Sequence, residues 1–599
     1  MAFSFLLHGS LERLVEILVV TIIFTSIARQ VMSDASKHRY QKGDLVPLYA
    51  NTVGPFGNPS ETYAYYSLPF CQPDPLIQKK LSIGEVLNGD RLASAPYKLD
   101  FLKESDLQVV CMKNLTWEEV SLLQTAIAQD YYWEMYYDDL PLWGFIGYIH
   151  REGKETPEEY RYSIYTHSQF EILYNGEHVI GINAVSSHVA GLANDNEVDL
   201  KFSYDVVWRE TNITFEKRMD KYIISEHLPY NIRIHQFGIT NSSWTVLILF
   251  CCLVVLYVRV LKRDIYKYAN EEESANDQEE TGWKVLHADV FRFPKYKSLF
   301  SAAIGSGTHL FIMAMSILAL GFLGIFHPYD RGVLKTSLII TYAITSGVSG
   351  FTAVSFYHQL EGTDWMRNVF LTGCLFCGPL FLTFCFLNAI ATAYGFTAAL
   401  PAGAIVMIFL MWMFLASPLL LVGAILGKTI NWQFQAPCQS SNYSREIPGL
   451  RWYRGALPQM ALAGFLPFSA IYIVLYDIFA SVWGYRVFNL YGILCIVFVF
   501  VIMKTALVSV GLTYLQLAAE DHQWWWRSFL CGGSTGLYVF GYCFYYYFQW
   551  SDMRGLVQTS FFFGYMACSC CGLFLMLGTI GFCASLLFVR YMYGGIKCE

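Results

Sequence analysis

The sequence predicts a multi-pass α-helical membrane protein with nine transmembrane helices and an N-terminal, mostly β lumenal domain. Of the 599 residues, 54% are hydrophobic and only 15% are charged, whereas soluble domains average about 25% charged residues. The charges are also uneven, because 67 of the 89 lie in residues 1–297 and 22 in residues 298–599. Long apolar runs recur through the second half. This composition excludes a soluble, disordered or nucleic-acid-binding protein.

The chain starts with a short apolar run that predicts a signal peptide over residues 1–30. Ile17–Ile27 is only eleven residues long, which is too short to span a bilayer core but typical of a secretory signal. The basic flank is weak, because Glu12 and Glu16 offset Arg13. A retained membrane anchor is therefore the alternative.

Residues 31–243 are predicted to form one β-rich lumenal domain. Short segments alternate apolar and polar residues with many β-branched and aromatic side chains, which is the pattern of half-buried strands. Examples are Phe202–Trp208, Phe170–Tyr174 and His178–Ile182. One helix is predicted over Trp117–Asp130.

Two cysteines and two glycosylation sequons lie in this domain. Cys71 and Cys111 are the only cysteines between the signal and the first span. In an oxidising lumen two such thiols most simply form a disulfide, with two free thiols as the alternative. The sequons predict glycosylation of Asn114 and Asn212 in surface loops.

Apolar runs predict the nine spans, since a transmembrane helix needs about 20 apolar residues. The first span is 244–262, and a charged cytosolic loop follows at 263–297. Residues 298–590 form an eight-helix transmembrane region, and residues 591–599 are a cytosolic tail. The eight apolar runs are 298–325, 333–357, 368–394, 399–426, 457–482, 488–518, 528–550 and 557–589.

Lysine and arginine residues predict the orientation. In this topology the cytosolic segments carry sixteen of them and the lumenal loops after the first span carry four. Positive charge concentrates on the cytosolic side of membrane proteins, so we expect a lumenal N-terminal domain and a cytosolic C-terminus.

Polar side chains inside the predicted spans are candidates for function. Lys504 lies within an apolar run, where a charge is costly and faces the bundle interior or a water-filled cavity; Asp477 in the preceding span is a candidate partner. His309 can titrate, bind a metal or form a hydrogen bond between helices. For Lys504 and His309 a structural role in helix packing is the alternative. Gly305 and Gly307 allow close helix approach, either by another protein's helix or within this bundle.

Four groups of residues carry a resemblance to a known family. They are Ser67-Leu-Pro-Phe-Cys71, Gly89-Asp-Arg91, Gly282-Trp-Lys284 with Asp289-Val-Phe-Arg292, and Glu520-Asp-His-Gln-Trp-Trp-Trp-Arg527. Together they resemble the transmembrane 9 superfamily, also called nonaspanins or endomembrane proteins 70. The resemblance runs from about residue 40 to the C-terminus. Lys504-Thr-Ala-Leu507 and Ile596-Lys-Cys-Glu599 are most similar to the member 1 branch as found in plants.

The resemblance implies a Golgi and endosomal membrane protein that assists the sorting, transport or localisation of other membrane proteins. Its implied clients have glycine-rich transmembrane segments, and a terminal motif of Lys597 and Glu599 implies binding to the COPI coat. It implies no enzyme activity and no cofactor, and we expect no metal site. The competing hypothesis is a secondary transporter or an ion or metal pathway that uses Lys504 and His309. The sequence shows no internal repeat and no matched pair of interrupted helices, which are the usual signs of a transporter.

Overall fold

The computed structural model describes most of the predicted domains. It covers residues 38–150, 160–192, 198–224, 232–271, 282–326, 332–430, 434, 445–449, 451–484 and 491–594. The predicted signal peptide and the terminal residues 595–599, with Lys597 and Glu599, lie outside the described residues.

The N-terminal domain consists of two five-stranded sheets packed around one core. The first sheet has the order β2-β1-β5-β6 with β3 also paired to β1, and the second has the order β4-β10-β8-β7 with β9 also paired to β8. Pairing is antiparallel except between β8 and β10. The strands are β1 (Leu48–Pro55), β2 (Tyr63–Ala64), β3 (Ala93–Ser94), β4 (Ser105–Leu115), β5 (Tyr131–Tyr137), β6 (Leu140–Phe145), β7 (Gly147–His150), β8 (Arg161–Asn175), β9 (His178–Leu192) and β10 (Val198–Glu210).

The predicted alternation is visible in β10, where every second side chain enters the core. Phe202, Tyr204, Val206 and Trp208 are all buried, because successive side chains of a strand point to opposite faces. Three short helices accompany the strands: α1 (Ile83–Asn88), α2 (Trp117–Ala128) and α3 (Asp220–Ile224). The predicted helix at 117–130 is therefore present as α2.

The structure joins Cys71 and Cys111 in a disulfide with their Cα atoms 6.0 Å apart. Cys111 lies on β4, the edge strand of the second sheet. The bond therefore ties the segment after β2 to that edge. Asn114, also on β4, and Asn212, just after β10, are both exposed to solvent.

A buried ion pair joins Asp138, between β5 and β6, to Arg218, just before α3. Asp138 accepts hydrogen bonds from Arg218 at 2.8 Å, from Tyr40 at 2.6 Å and from His38 at 2.7 Å. Both Asp138 and Arg218 are buried. The hydrogen bond to Asp138 raises the pKa of His38 above its ordinary value of 6.5, against the opposing effect of burial.

This contact predicts a pH dependence of stability. A raised pKa in the folded state gives stabilisation that is present below the ordinary pKa of histidine and is lost as the pH rises through the folded-state pKa. We therefore expect the free energy of unfolding of the N-terminal domain to fall as the pH rises above about 6.5. Thermal unfolding of the full chain at a series of pH values measures this. The dependence of unfolding temperature on pH should weaken in His38→Gln and remain in the exposed control His150→Gln. The same dependence in both variants would contradict a role for His38.

The second half of the chain is helical, as predicted. After α4 (Ile232–Glu271), the structure contains α5 (Lys297–Phe322), α6 (Val333–Gln359), α7 (Trp365–Tyr394), α8 (Ala402–Met411), α9 (Ser417–Thr429), α10 (Ala456–Val482), α11 (Tyr491–Leu517), α12 (Trp524–Gly533), α13 (Thr535–Gln549) and α14 (Leu556–Gly594). A π-helical turn, Trp412–Ala416, joins α8 and α9 into one rod. The last helix, α14, packs against α5, α7, α11, α12 and α13 and so occupies the centre of the bundle.

The count of spans differs in one detail from the prediction. Within the described residues, eight helices are long and apolar enough to cross a membrane. The remaining predicted span, 528–550, coincides with parts of α12 and α13, two shorter helices that meet at Ser534. Small residues explain this break, since Gly533 and Ser534 are helix-weakening and helix kinks occur at Gly and Ser pairs.

The boundaries of the first span also differ. Helix α4 begins at Ile232 and ends at Glu271, beyond both ends of the predicted span 244–262. Hydropathy marks only the apolar part of a helix, while polar residues continue it in water. The predicted start of the cytosolic loop at residue 263 therefore marks the end of the apolar run and not the end of the helix.

Candidate functional site

Helix α8 makes few contacts with the rest of the bundle. None of its residues is buried, and it packs mainly on the π-helical turn that follows it. The preceding helix α7 has only five buried residues among its 30. Both helices expose large apolar side chains, and we call these side chains the α7–α8 surface. They include Phe381, Leu382, Phe386, Val406, Met407 and Leu410.

Two backbone irregularities lie near the middle of these helices. Pro379 interrupts the hydrogen-bond ladder of α7, and the π-helical turn Trp412–Ala416 separates α8 from α9. Such π-turns occur often at functional sites. The sequence shows no matched pair of interrupted helices; the structure shows that the rod α8–α9 and the pair α12–α13 are both irregular.

A small polar cavity of about 20 Å³ lies beside the π-helical turn and is lined by His309, Tyr342, Ser346, Thr372 and Trp412 among others. A space of this size holds about one water molecule. His309 Nε2 donates a hydrogen bond to the Tyr342 carbonyl at 3.0 Å, and Ser346 Oγ donates to the Ala416 carbonyl at 2.9 Å. His309 therefore links α5 to α6, as the structural alternative for this residue predicts.

The loop that leads into α8 is held by the N-terminal domain. The Thr397 amide donates to the Thr62 carbonyl at 2.8 Å. Arg91 Nη2 donates to the Ala399 carbonyl at 2.7 Å. We call these two contacts the N-domain latch. Since α8 itself is not packed, the latch and the π-helical turn fix its two ends.

The sequence around Arg91 explains its position. Gly89 ends α1 in a left-handed conformation with φ of 88°, which glycine adopts without a steric penalty. Asp90 is buried and accepts a hydrogen bond from Asn51 Nδ2 at 3.2 Å. The Arg91 amide donates to Asn51 Oδ1 at 2.8 Å, so the side chain is directed from a fixed backbone.

Substitution of Arg91 tests the latch. Arg91→Ala removes a charged donor, and a hydrogen bond of this kind is worth about 1.5–3 kcal/mol. We therefore expect amide hydrogen exchange in residues 396–404 of the full chain to accelerate by about tenfold or more. Arg209→Ala, which removes an exposed arginine paired with Glu171, should leave this segment unchanged. Unchanged exchange in Arg91→Ala would show that the latch does not hold the loop.

Lys504 is completely buried, but its partner differs from the one proposed from sequence. Its Nζ lies 3.2 Å from Ser469 Oγ on α10 and 3.5 Å from Ser242 Oγ on α4. Asp477 is eight residues beyond Ser469, or about 12 Å along the same helix. The ammonium group therefore joins three helices through hydroxyl groups, and Asp477 is not its partner.

The motifs near the ends of the helices meet on the side predicted to be cytosolic. Trp524 Nε1 donates to the Val290 carbonyl at 2.8 Å. The Tyr593 hydroxyl donates to the Trp283 carbonyl at 2.6 Å. The segment 283–290, the start of α12 and the end of α14 are therefore in contact at this end of the bundle.

Comparison with known proteins identifies the family. The family model described as endomembrane protein 70 matches residues 62–556. The chain belongs to the endomembrane protein 70 family. It is 59% identical to transmembrane 9 superfamily member 4 of Arabidopsis thaliana, over 97% of this chain and 98% of that protein. It is also 41% identical to transmembrane 9 superfamily member 1 of Bos taurus, over 94% of each chain. No solved structure matches it.

The part of this endomembrane protein 70 chain that the family model matches, residues 62–556, includes both sides of the N-domain latch. Sequence reasoning recognised Gly89-Asp-Arg91 as a motif but gave it no role. Its contact with Ala399 lies more than 300 residues away in the chain, so no local signal predicts it.

The glycines beside His309 pack inside the molecule. A Cβ atom at Gly305 would overlap Ala353 of α6, and one at Gly307 would overlap Thr579 of α14. Both glycines are buried. The interpretation that they form a surface for another protein's helix is therefore wrong, and the alternative that they pack this bundle is correct.

A polar cluster on the second sheet of the N-terminal domain was missed from sequence. His167 on β8 lies 2.9 Å from Ser203 Oγ and 2.7 Å from Asp205 Oδ1, both on β10. The three side chains project from paired strands, where such cross-strand contacts stabilise the sheet. The two positions on β10 are only two residues apart on one face, which is the signal that could have indicated the cluster.

Proposed function

We propose that this protein assists the sorting, transport or localisation of other membrane proteins in Golgi and endosomal membranes. The proposed clients contain glycine-rich transmembrane segments. Family membership and the multi-pass helical fold support this assignment. The structural observation that carries it is the α7–α8 surface, because α8 is apolar and has no buried residue.

The chemistry of this surface suits a glycine-rich partner helix. In lipid, helices associate by close packing and not by hydrophobicity, and small residues on one partner let the backbones approach. Val406 and Met407 are about half exposed. The flexible Met407 side chain adapts to differently shaped partners. The glycines would then lie on the client and the larger side chains on this protein.

A crosslinking experiment tests client binding at this surface. The full chain would carry a photoreactive residue in place of Met407 and be expressed with a single-span reporter whose helix is glycine-rich. We expect a crosslinked product whose yield falls at least severalfold when the reporter glycines are replaced by leucine. The control position is Val499 on α11, which is equally exposed. Equal crosslinking with the leucine reporter would refute glycine-dependent recognition.

The proposed localisation uses the cytosolic tail. Lys597 and Glu599 would bind the COPI coat, with the N-terminal domain in the lumen and the C-terminus in the cytosol. A paired substitution, Lys597→Ala with Glu599→Ala, should shift the protein from the Golgi toward later compartments in fluorescence microscopy. Cys598→Ala lies between them and is the matched control. A Golgi distribution that is insensitive to the paired change would exclude this address.

A second candidate function is a secondary transporter or an ion or metal pathway. The observation in its favour is the buried Lys504, whose ammonium group contacts only hydroxyl groups among the described residues. Charged groups inside membranes commonly mark substrate or proton pathways. Flux into liposomes that contain the full chain, lost in Lys504→Ala, would favour this function over client binding.

A further inference from the structure

A short turn before α10 exposes a combination of aromatic and basic side chains. It consists of Arg451 and the 3₁₀ helix Trp452–Arg454, and we call it the Arg451–Arg454 turn. Trp452 is 83% exposed, and Leu457 in the first turn of α10 is 79% exposed. Apolar side chains so open to water at the start of a spanning helix indicate a place where the protein meets the membrane surface.

The two arginines of this turn are arranged around one aromatic ring. Arg451 Nη1 donates to the Tyr453 hydroxyl at 3.3 Å. The Arg454 guanidinium lies 5.9 Å from the centre of the same ring. Both guanidinium groups therefore lie next to the Tyr453 side chain.

These charges are not neutralised within the described part of the chain. Nearby arginines have carboxylate partners, since Arg445 pairs with Glu520 at 3.5 Å and Arg527 pairs with Asp521 at 2.9 Å. Among the described residues, Arg451 and Arg454 form no such pair. Arg527 also donates to the Arg454 carbonyl at 3.4 Å. This contact places a third guanidinium beside the turn and connects the turn to the tryptophan-rich family motif.

An apolar helix of spanning length begins immediately after the turn. It is α10, which starts at Ala456, two residues beyond Arg454. Trp452 and Tyr453 thus precede the candidate span directly, and tryptophan and tyrosine at the end of a span usually lie at headgroup depth. At this depth, free guanidinium groups face lipid phosphates.

We propose that the Arg451–Arg454 turn binds the headgroup of an anionic phospholipid. Arg451 and Arg454 would contact the phosphate and any further anionic group, while Trp452 and Leu457 enter the interface beside the acyl chains. Guanidinium groups suit this task because they form paired hydrogen bonds with phosphate oxygens. A basic residue near an anionic membrane contributes about fivefold to binding.

Lipid titration of the purified full chain in neutral detergent tests the proposal. The probes are short-chain phosphatidylserine, short-chain phosphatidylinositol phosphate, short-chain phosphatidylcholine and inorganic phosphate. We expect both anionic lipids to bind at least about tenfold tighter than phosphatidylcholine, and the double variant Arg451→Ala, Arg454→Ala to lose about twenty-fivefold. Preference for the phosphorylated inositol would identify phosphate groups as the main determinant, whereas tight binding of inorganic phosphate alone would overturn lipid recognition.

Controls separate this contact from misfolding and from a protein ligand. Arg367→Ala removes an exposed arginine at the start of α7 and should bind like the native protein. Trp452→Ala should weaken lipid binding without affecting inorganic phosphate. Thermal unfolding must be unchanged in these variants. Equal affinities in the native protein and the double variant, or tighter binding of a polyglutamate peptide than of either anionic lipid, would overturn the proposal.

Discussion

Replacing Gly423 with alanine should destabilise the helical bundle. Gly423 on α9 is buried, and a Cβ atom there would overlap the carbonyl oxygen of Gly347 on α6. The obstacle is backbone and not a flexible side-chain end, so the two helices must separate. Overpacking of this kind costs roughly 1–3 kcal/mol. Thermal unfolding of the detergent-solubilised full chain, followed by tryptophan fluorescence, should show a clearly lower midpoint.

Gly403 provides the matched control for this substitution. It lies on α8 in the same rod, and a Cβ atom there meets nothing within 4 Å. Gly403→Ala should be neutral or stabilising by roughly 0.5–1 kcal/mol, because alanine favours a helix over glycine. If Gly423→Ala and Gly403→Ala unfold at the same temperature, α6 and α9 do not pack as closely as the structure places them.

The glycines of the bundle show what small residues in a membrane sequence do and do not predict. Gly305, Gly307 and Gly423 are all consistent with close helix packing. The sequence does not indicate which helix approaches, because the partners of Gly423 and Gly307 lie on α6 and α14, far away in the chain. The surface that remains open, on α7 and α8, contains mainly large side chains.

The sequence predicted the architecture well where the signal is local. Spans follow from the length of apolar runs, and strands from alternation, so α5, α6 and β10 appear close to their predicted positions. The break at Ser534 and the π-helical turn were not predicted. Hydropathy is continuous across both segments, so the length of an apolar run does not reveal a break or a π-helical turn inside it.

The candidate site was less predictable than the fold. Burial of Lys504 and the role of His309 between helices followed from the cost of polar groups in lipid. That Lys504 contacts Ser469 and Ser242, and not Asp477, depends on helix register. The N-domain latch depends on how the N-terminal domain docks on the bundle. Both are long-range properties that residue spacing does not contain.

Replacing Asp138 with asparagine should cause a large loss of stability in the N-terminal domain. Asp138 is the carboxylate opposite the buried Arg218 at 2.8 Å, and removal of one partner of a buried pair costs about 3–5 kcal/mol because the remaining buried charge loses this carboxylate. The substitution preserves size. It also preserves the turn between β5 and β6, where Asp138 has φ of 49°, since asparagine tolerates this left-handed conformation.

Asp139 separates the effect of charge from that of the turn. It has φ of 64° in the same turn, but its carboxylate is partly exposed and its ion pair with Lys79 is long, at 4.0 Å, so Asp139→Asn should have little effect. The double variant Asp138→Asn, Arg218→Met should recover part of the lost stability, because it also removes the buried guanidinium group. Limited proteolysis and thermal unfolding of the full chain measure all three. Equal stability of Asp138→Asn and Asp139→Asn would mean that the turn, and not the buried charge, governs this end of the domain.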